Sequence, residues 1–217
     1  MLHTLKDLLF PPRCALCDAV ITPHEKPLCP ACGKACPEVS ILGEVCRVCG
    51  REKVHCTCKQ DSFLSDGIAA PFYYEGVTQH GVSLYKHIQD VDRTAFFVGE
   101  MANSICRALG DRIVDVVTAV PLRPAAKRER GFDQVEPLAK GIAKEFHIPY
   151  VRLLRKCLDT PSQKLLTMEQ RRSNLLGAFD VTNKELTEGK RILLLDDVVT
   201  TGATTNECAK MLKIYGA

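Results

Sequence analysis

Apolar residues recur at helical spacing in two stretches of the chain. Phe97, Met101, Ile105 and Leu109 share one face of a helix predicted over 94–109, and Val135, Leu138, Ile142 and Phe146 do the same over 132–146. Asp133 and Glu136 are spaced as a capping box at the start of the second helix. Pro137 is tolerated there because it falls in the first turn. Three other runs have strand character. Residues 67–74, Gly-Ile-Ala-Ala-Pro-Phe-Tyr-Tyr, read as an edge strand, since Pro71 has no N–H for a central ladder. Residues 113–120 read as a strand ending at Pro121, and 191–195 as the almost purely apolar strand expected where a sheet is covered on both faces. A last helix begins near Thr204 or Thr205 and ends at Tyr215. Strands and helices alternating from Asp66 onward predict an α/β domain with a mostly parallel sheet and flanking helices.

Upstream of Asp66 the pattern changes. Residues 11–60 are rich in Cys, Pro and Gly and lack long apolar periodicity, so this segment cannot bury enough surface to fold without a staple. Nine of the twelve cysteines lie within the first 58 residues. Cys14-x-x-Cys17 and Cys29-x-x-Cys32 have the spacing of two turns that aim four thiolates at one Zn²⁺. Cys46-x-x-Cys49 and Cys56-x-Cys58 form a second group whose closing pair is one residue short of the usual knuckle. Cys36 and His55 are spare ligand candidates, and a crossed pairing, Cys14 and Cys17 with Cys46 and Cys49, is an alternative. Neither set leaves an open coordination position, so one or two structural zinc ions are expected. The predicted organisation is a zinc-ribbon module over 1–62 and an α/β domain over 63–217.

Composition narrows the setting. The 46% hydrophobic content suffices for an ordinary core, and the net charge of +3 does not by itself call for nucleic acid or a lipid surface. Residues 1–60 carry eight Lys and Arg against six Asp and Glu. Eight thiolates on two Zn²⁺ would bring that +2 to about −2, a poor footprint for phosphate backbones. No apolar run approaches the length of a membrane span. Met1 to Phe10 reads as a short amphipathic helix, because Asp7 and Pro11-Pro12 do not suit a signal peptide. Clustered thiols beside an α/β domain favour metal over disulfides and a cytoplasmic protein.

The most informative segment is Leu-Leu-Leu-Asp-Asp-Val-Val-Thr-Thr-Gly-Ala-Thr, residues 193–204. A buried strand delivers Asp196 and Asp197, whose adjacent carboxylates can accept from vicinal ribose hydroxyls. Val198 and Val199 follow. Thr200, Thr201, Gly202, Ala203 and Thr204 then lead into a helix N-terminus, which offers N–H groups and hydroxyls to a dianionic phosphate. Gly202 permits close backbone approach. The Gly-Lys-Ser/Thr of a Walker loop is absent.

This run resembles the ligand motif of type I phosphoribosyltransferases. Val-Pro-Leu-Arg-Pro-Ala-Ala-Lys-Arg-Glu-Arg-Gly-Phe-Asp-Gln (120–134), Gln163 with Arg171, Arg172 and Asn174, and the zinc module extend the resemblance over nearly the whole chain to the ComF family of competence-associated proteins. The resemblance implies a type I phosphoribosyltransferase-like fold that binds phosphoribosyl pyrophosphate with Mg²⁺. It implies that Asp196 and Asp197 hold the ribose hydroxyls and act in any catalysis, and that residues 200–204 wrap the 5-phosphate. Pro121, Leu122, Arg123, Lys127 and Arg130, with Arg128 beside them, would meet the pyrophosphate. Lys86 matches a family lysine, although a surface lysine lying along apolar neighbours has the same signature. Asp133 departs from the family's usual Asn, and the family commonly continues into another strand after the position of Ala217.

Three readings follow: an enzyme that transfers the phosphoribosyl group, a non-catalytic ligand sensor, and an adaptor for single-stranded DNA or DNA-processing proteins in natural competence. The intact Asp-Asp/Thr-Thr-Gly loop favours the first two. With 6% aromatic residues and no Trp, a base-stacking platform would rest on Phe72, Tyr73 or Phe132.

Overall fold

The computed structural model of the chain describes residues 10–22, 24, 27–36, 46, 49–58, 63–88, 90–110, 112–122, 128, 131–157 and 177–217. Apart from Phe10, the amphipathic helix expected at the start lies outside these residues. The described elements are α1 (Pro30–Ala35), a 3₁₀ turn (Lys53–His55), α2 (Gly76–Tyr85), α3 (Val91–Leu109), β1 (Val116–Ala119), α4 (Val135–Glu145), β2 (Leu154–Lys156), β3 (Phe179–Val181), β4 (Ile192–Leu195) and α5 (Ala203–Ile214).

The centre is a parallel pair. β1 lies beside β4 with Val116 opposite Ile192 and Ala119 opposite Leu195. On its other side β1 meets the segment around Tyr150, where Val117 N donates to Pro149 O and Val151 N to Val117 O, both at 2.9 Å. Successive β1 residues point to opposite faces, and the cores follow that alternation. Val117 packs with Ala102 and Ile105 of α3 and Val135, Ala139 and Ile142 of α4. Val116 and Val120 pack with Cys208 and Leu212 of α5 and with Leu154 and Phe179. Helices thus cover both faces of a parallel sheet, as the alternation of elements predicts, while β2 and β3 form a short antiparallel pair beside it.

Several boundaries differ from the sequence expectation. Over 67–74 the predicted strand shrinks to an isolated bridge at Phe72, whose ring stacks on Phe96 at 5.9 Å and packs against the core. The 113–120 strand contracts to Val116–Ala119 because Ile113 is exposed and Asp115 is engaged with Arg191. β4 is fully covered only at Leu195. Ile192, Leu193 and Leu194 line a cavity of about 700 Å³ that runs along the strand's other edge. α3 starts at Val91, three residues early, because Asp90 Oδ1 caps it by accepting from Asp92 N and Arg93 N. In α4, Asp133 makes its half of the capping box, accepting from Val135 N at 3.0 Å and Glu136 N at 3.3 Å. The Glu136 carboxylate turns instead to Arg152 and Lys140.

The third core joins the cysteine region to the helices. Ala15, Leu16 and Ile21 are buried with Tyr85, Phe96, Phe97 and Leu138. Leu16 is wholly buried, worth about 2 kcal/mol for such a side chain. Arg93, also buried, donates through Nε to Ala15 O at 2.9 Å and through Nη2 to Asp18 Oδ1 at 2.7 Å. Gly81 of α2 lies against Leu16. Among the described residues, no helix is long and apolar enough to cross a membrane.

Candidate functional site

The eight predicted cysteine ligands gather into two sets, Cys14, Cys17, Cys29 and Cys32, and Cys46, Cys49, Cys56 and Cys58, with the sulfurs of each set within 4.8 Å of one another. The crossed pairing is thereby excluded, and Cys36 and His55 belong to neither set. Tetrahedral Zn–S bonds of about 2.3 Å place sulfurs about 3.8 Å apart, whereas a disulfide needs about 2.05 Å. Cys17 and Cys29 are 3.8 Å apart, and Cys46–Cys58 and Cys49–Cys56 are 3.6 Å apart. Cys56 and Cys58 are tighter, at 3.1 Å, as their one-residue spacing dictates.

Acidities fit the same picture. Burial raises the Cys14 thiol, but the N–H groups of Cys29, Cys17 and Leu16 outweigh it and bring the group down to about 7. Burial and its three thiol neighbours push Cys32 far up, and Cys56 pushes Cys58 up to about 12. Four crowded thiols can all lose their protons only around a cation, and both sets are suited to Zn²⁺.

The second site lies where β4 ends. Asp196 and Asp197 leave the strand beside Val120, whose N–H donates to Leu195 O at 2.8 Å. Pro121 and Leu122 continue from β1 next to them, half-buried. Asp197 N donates to Asp196 Oδ1 at 2.9 Å. Two further elements converge on Asp197. Gln134, at the start of α4, donates from Nε2 to Oδ2 at 2.9 Å, and Lys86, after α2, brings Nζ to within 3.2 Å of the same oxygen. Lys86 is therefore committed to the site rather than lying free on the surface.

Asp196 makes no comparable ion pair among the described residues. Burial, and then the charge of Asp197, push its carboxyl up to about 8, although part of its surface still meets the cavity beside β4. Val198 is half-buried, and Val199 and Thr200 are exposed. Thr201 Oγ1 accepts from Ala203 N at 3.4 Å. Gly202 adopts φ 72° and starts α5, with Asn206 N donating to its carbonyl at 2.8 Å. A Cβ at Gly202 would strike the ring of Phe63, so glycine is required on both counts. Thr204 lies in the first turn of α5. A carboxylate pair followed by a glycine turn into a helix N-terminus presents acceptors to a diol and donors to an anion.

The other predicted residues are placed unevenly. Arg128 is exposed. Arg123, Lys127, Arg130, Gln163, Arg171, Arg172 and Asn174 lie outside the described residues. Of the stacking candidates, Phe72 packs on Phe96, Tyr73 meets His55 edge-on, and Phe132 is half-buried. Gln134 is the site residue that sequence reasoning left without a role. Its signal was a polar residue at the start of an apolar helix face, beside the Asp133 cap.

Residues 5–65 match the double zinc ribbon domain family, and residues 135–217 match the phosphoribosyl transferase domain family. Fold, cysteine sets and matches together define a protein with a double zinc ribbon followed by a phosphoribosyltransferase domain. Its relatives include competence protein ComFC of Bacillus subtilis (strain 168), 28% identical over 92% of this chain and 88% of that protein. ComFC of Streptococcus pneumoniae is 29% identical over 94% and 82%, respectively. DNA utilization protein YhgH of Escherichia coli O157:H7 is 33% identical over 51% of this chain and 48% of its own length. The chain is thus similar to the ComFC proteins over nearly its whole length.

Proposed function

We propose that the chain binds phosphoribosyl pyrophosphate together with Mg²⁺ and serves in DNA uptake or utilisation. The observation that carries the ligand reading is the juxtaposition of Asp196 and Asp197 with the Gly202 turn at the head of α5. The aspartates accept from the 2′- and 3′-hydroxyls of the ribose. Thr200, Thr201, Gly202, Ala203 and Thr204 receive the 5-phosphate, where backbone N–H groups and the helix dipole favour the dianion. The family resemblance assigns Pro121, Leu122, Arg123, Lys127 and Arg130 to the pyrophosphate, whose charge Mg²⁺ would neutralise when bound. If an acceptor attacks C1, its new bond forms as the bond from C1 to pyrophosphate breaks, and the held diol keeps the sugar oriented for that exchange. The role in DNA handling rests on the names of the relatives, competence protein ComFC and DNA utilization protein YhgH.

Calorimetric titration with phosphoribosyl pyrophosphate and Mg²⁺ tests the ligand reading. The wild type binds, and the double variant Asp196→Ala, Asp197→Ala does not; equal affinity of the two would refute it. Pyrophosphate release in the presence of candidate acceptors separates a transferase from a sensor.

A further inference from the structure

Gln134 is 3% exposed, yet only one end of its amide is paired: Nε2 donates to Asp197 Oδ2, and the buried Oε1 has no partner among the described residues. Turning the amide over would set a carbonyl oxygen against a carboxylate. Burying an unpaired acceptor costs about 1–3 kcal/mol, which leucine would avoid at this position. The bond to Asp197 is therefore what the amide contributes.

Where that bond lands is informative. Gln134 and Lys86 both hold Oδ2 of Asp197, and no hydrogen bond to its Oδ1 is made within the described residues. At Asp196 it is Oδ1 that is taken, by Asp197 N. Among the described residues, each aspartate thus has one oxygen fixed by the protein and one left over. Two such oxygens on consecutive residues match two hydroxyls on adjacent carbons.

We propose that Gln134 is a positioning residue for the sugar diol: with Lys86 it holds Oδ2 of Asp197 so that Oδ1 is presented to a ribose hydroxyl. This rests on the phosphoribosyl reading above and adds a residue and a division of labour to it. Gln134 acts through Asp197 and need not touch the ligand.

The test is a double-mutant cycle on the full-length, zinc-loaded chain, titrated with phosphoribosyl pyrophosphate and Mg²⁺. Gln134→Leu is expected to weaken binding about tenfold, the usual loss for a hydrogen bond to a charged group. In an Asp197→Asn background the same substitution is expected to cost less than about twofold, because the residue through which it acts is already altered. A loss of equal size in both backgrounds marks a merely structural role and overturns the proposal, as does no loss in either. If Gln134→Leu fails to fold by thermal unfolding, Gln134→Asn, whose shorter stem withdraws the amide from Asp197, carries the same comparison. Absence of binding by the wild type would refute the phosphoribosyl reading itself, and the proposal with it. That result is distinct from wild-type binding that Gln134→Leu leaves unchanged.

Discussion

Gly81 of α2 faces Leu16 of the first cysteine knuckle so closely that a Cβ at position 81 would lie 2.9 Å from the Leu16 Cα and 2.6 Å from its Cδ2. A backbone atom cannot yield as a flexible side-chain tip can. Gly81→Ala is therefore expected to destabilise the chain by about 1–3 kcal/mol, the range for overpacking a filled core. Thermal unfolding reads the change, and an unaltered midpoint would show that the knuckle can shift at no cost.

Arg93 crosses the same junction. Arg93→Met keeps the stem but strands Ala15 O and Asp18 Oδ1, both now bonded to the guanidinium. The expected loss is about 2–3 kcal/mol, that of a buried hydrogen bond to a charged donor. Denaturant titration measures it. Arg93→Lys is expected to restore little, because one ammonium does not reproduce the guanidinium's two fixed directions.

Metal content should be about two zinc ions per chain, one for each four-sulfur set. The two should not be equivalent. Cys14 and Cys32 belong to the core that includes Tyr85, the last residue of α2, and Lys86 follows it to reach Asp197. Removing the first zinc, by Cys14→Ser with Cys32→Ser, is expected to lower affinity for phosphoribosyl pyrophosphate more than Cys56→Ser with Cys58→Ser. Metal analysis with calorimetry on both variants checks this, and equal effects would break the proposed link through α2.

The raised Asp196 carboxyl sets a pH dependence. With its value at about 8, against about 3.9 for an ordinary aspartate, the folded chain keeps a proton that the unfolded chain releases. Stability from this group is therefore full at low pH and declines as pH rises from about 4 to about 8. Asp196→Asn should raise the unfolding midpoint near pH 8 and change it little near pH 4, while weakening ligand binding. Hydroxyl donors favour the ionised acceptor, so wild-type binding should release a proton and tighten as pH climbs from about 6 to about 8. Calorimetry in buffers of different ionisation enthalpy counts that proton; uptake instead of release would contradict the assignment.

Much of this was legible in the chain. α3 and α4 follow from apolar spacing, and the eight cysteine ligands from their close local spacing, because each signal is confined to neighbours in sequence; which cysteine pairs join was open until the structure grouped them. The Asp196–Gly202 segment was legible for the same reason. What escaped was non-local. Residues 67–74 have strand-forming side chains, but the pairing stops at an isolated bridge at Phe72, whose ring packs on Phe96. Lys86 and Gln134 converge on Asp197 across separations of 111 and 63 residues, and nothing near either position announces the other. The first turn of α3 escapes the apolar pattern because Val91 is exposed, although Asp90 has the side chain of a cap.

The ring of Phe63 against Gly202 has a thermodynamic consequence. Phe63 lies between the last cysteine ligand, Cys58, and α2, and Leu64 N donates to Asn206 Oδ1 in α5. The turn assigned to the 5-phosphate and the stretch leaving the zinc region are thus in direct contact. By reciprocity, whatever draws Phe63 away from Gly202 and thereby alters ligand affinity is itself bound more or less tightly by the same factor when ligand is present. Chymotryptic cleavage at Phe63, with and without ligand, would report that coupling from the opposite end of the exchange.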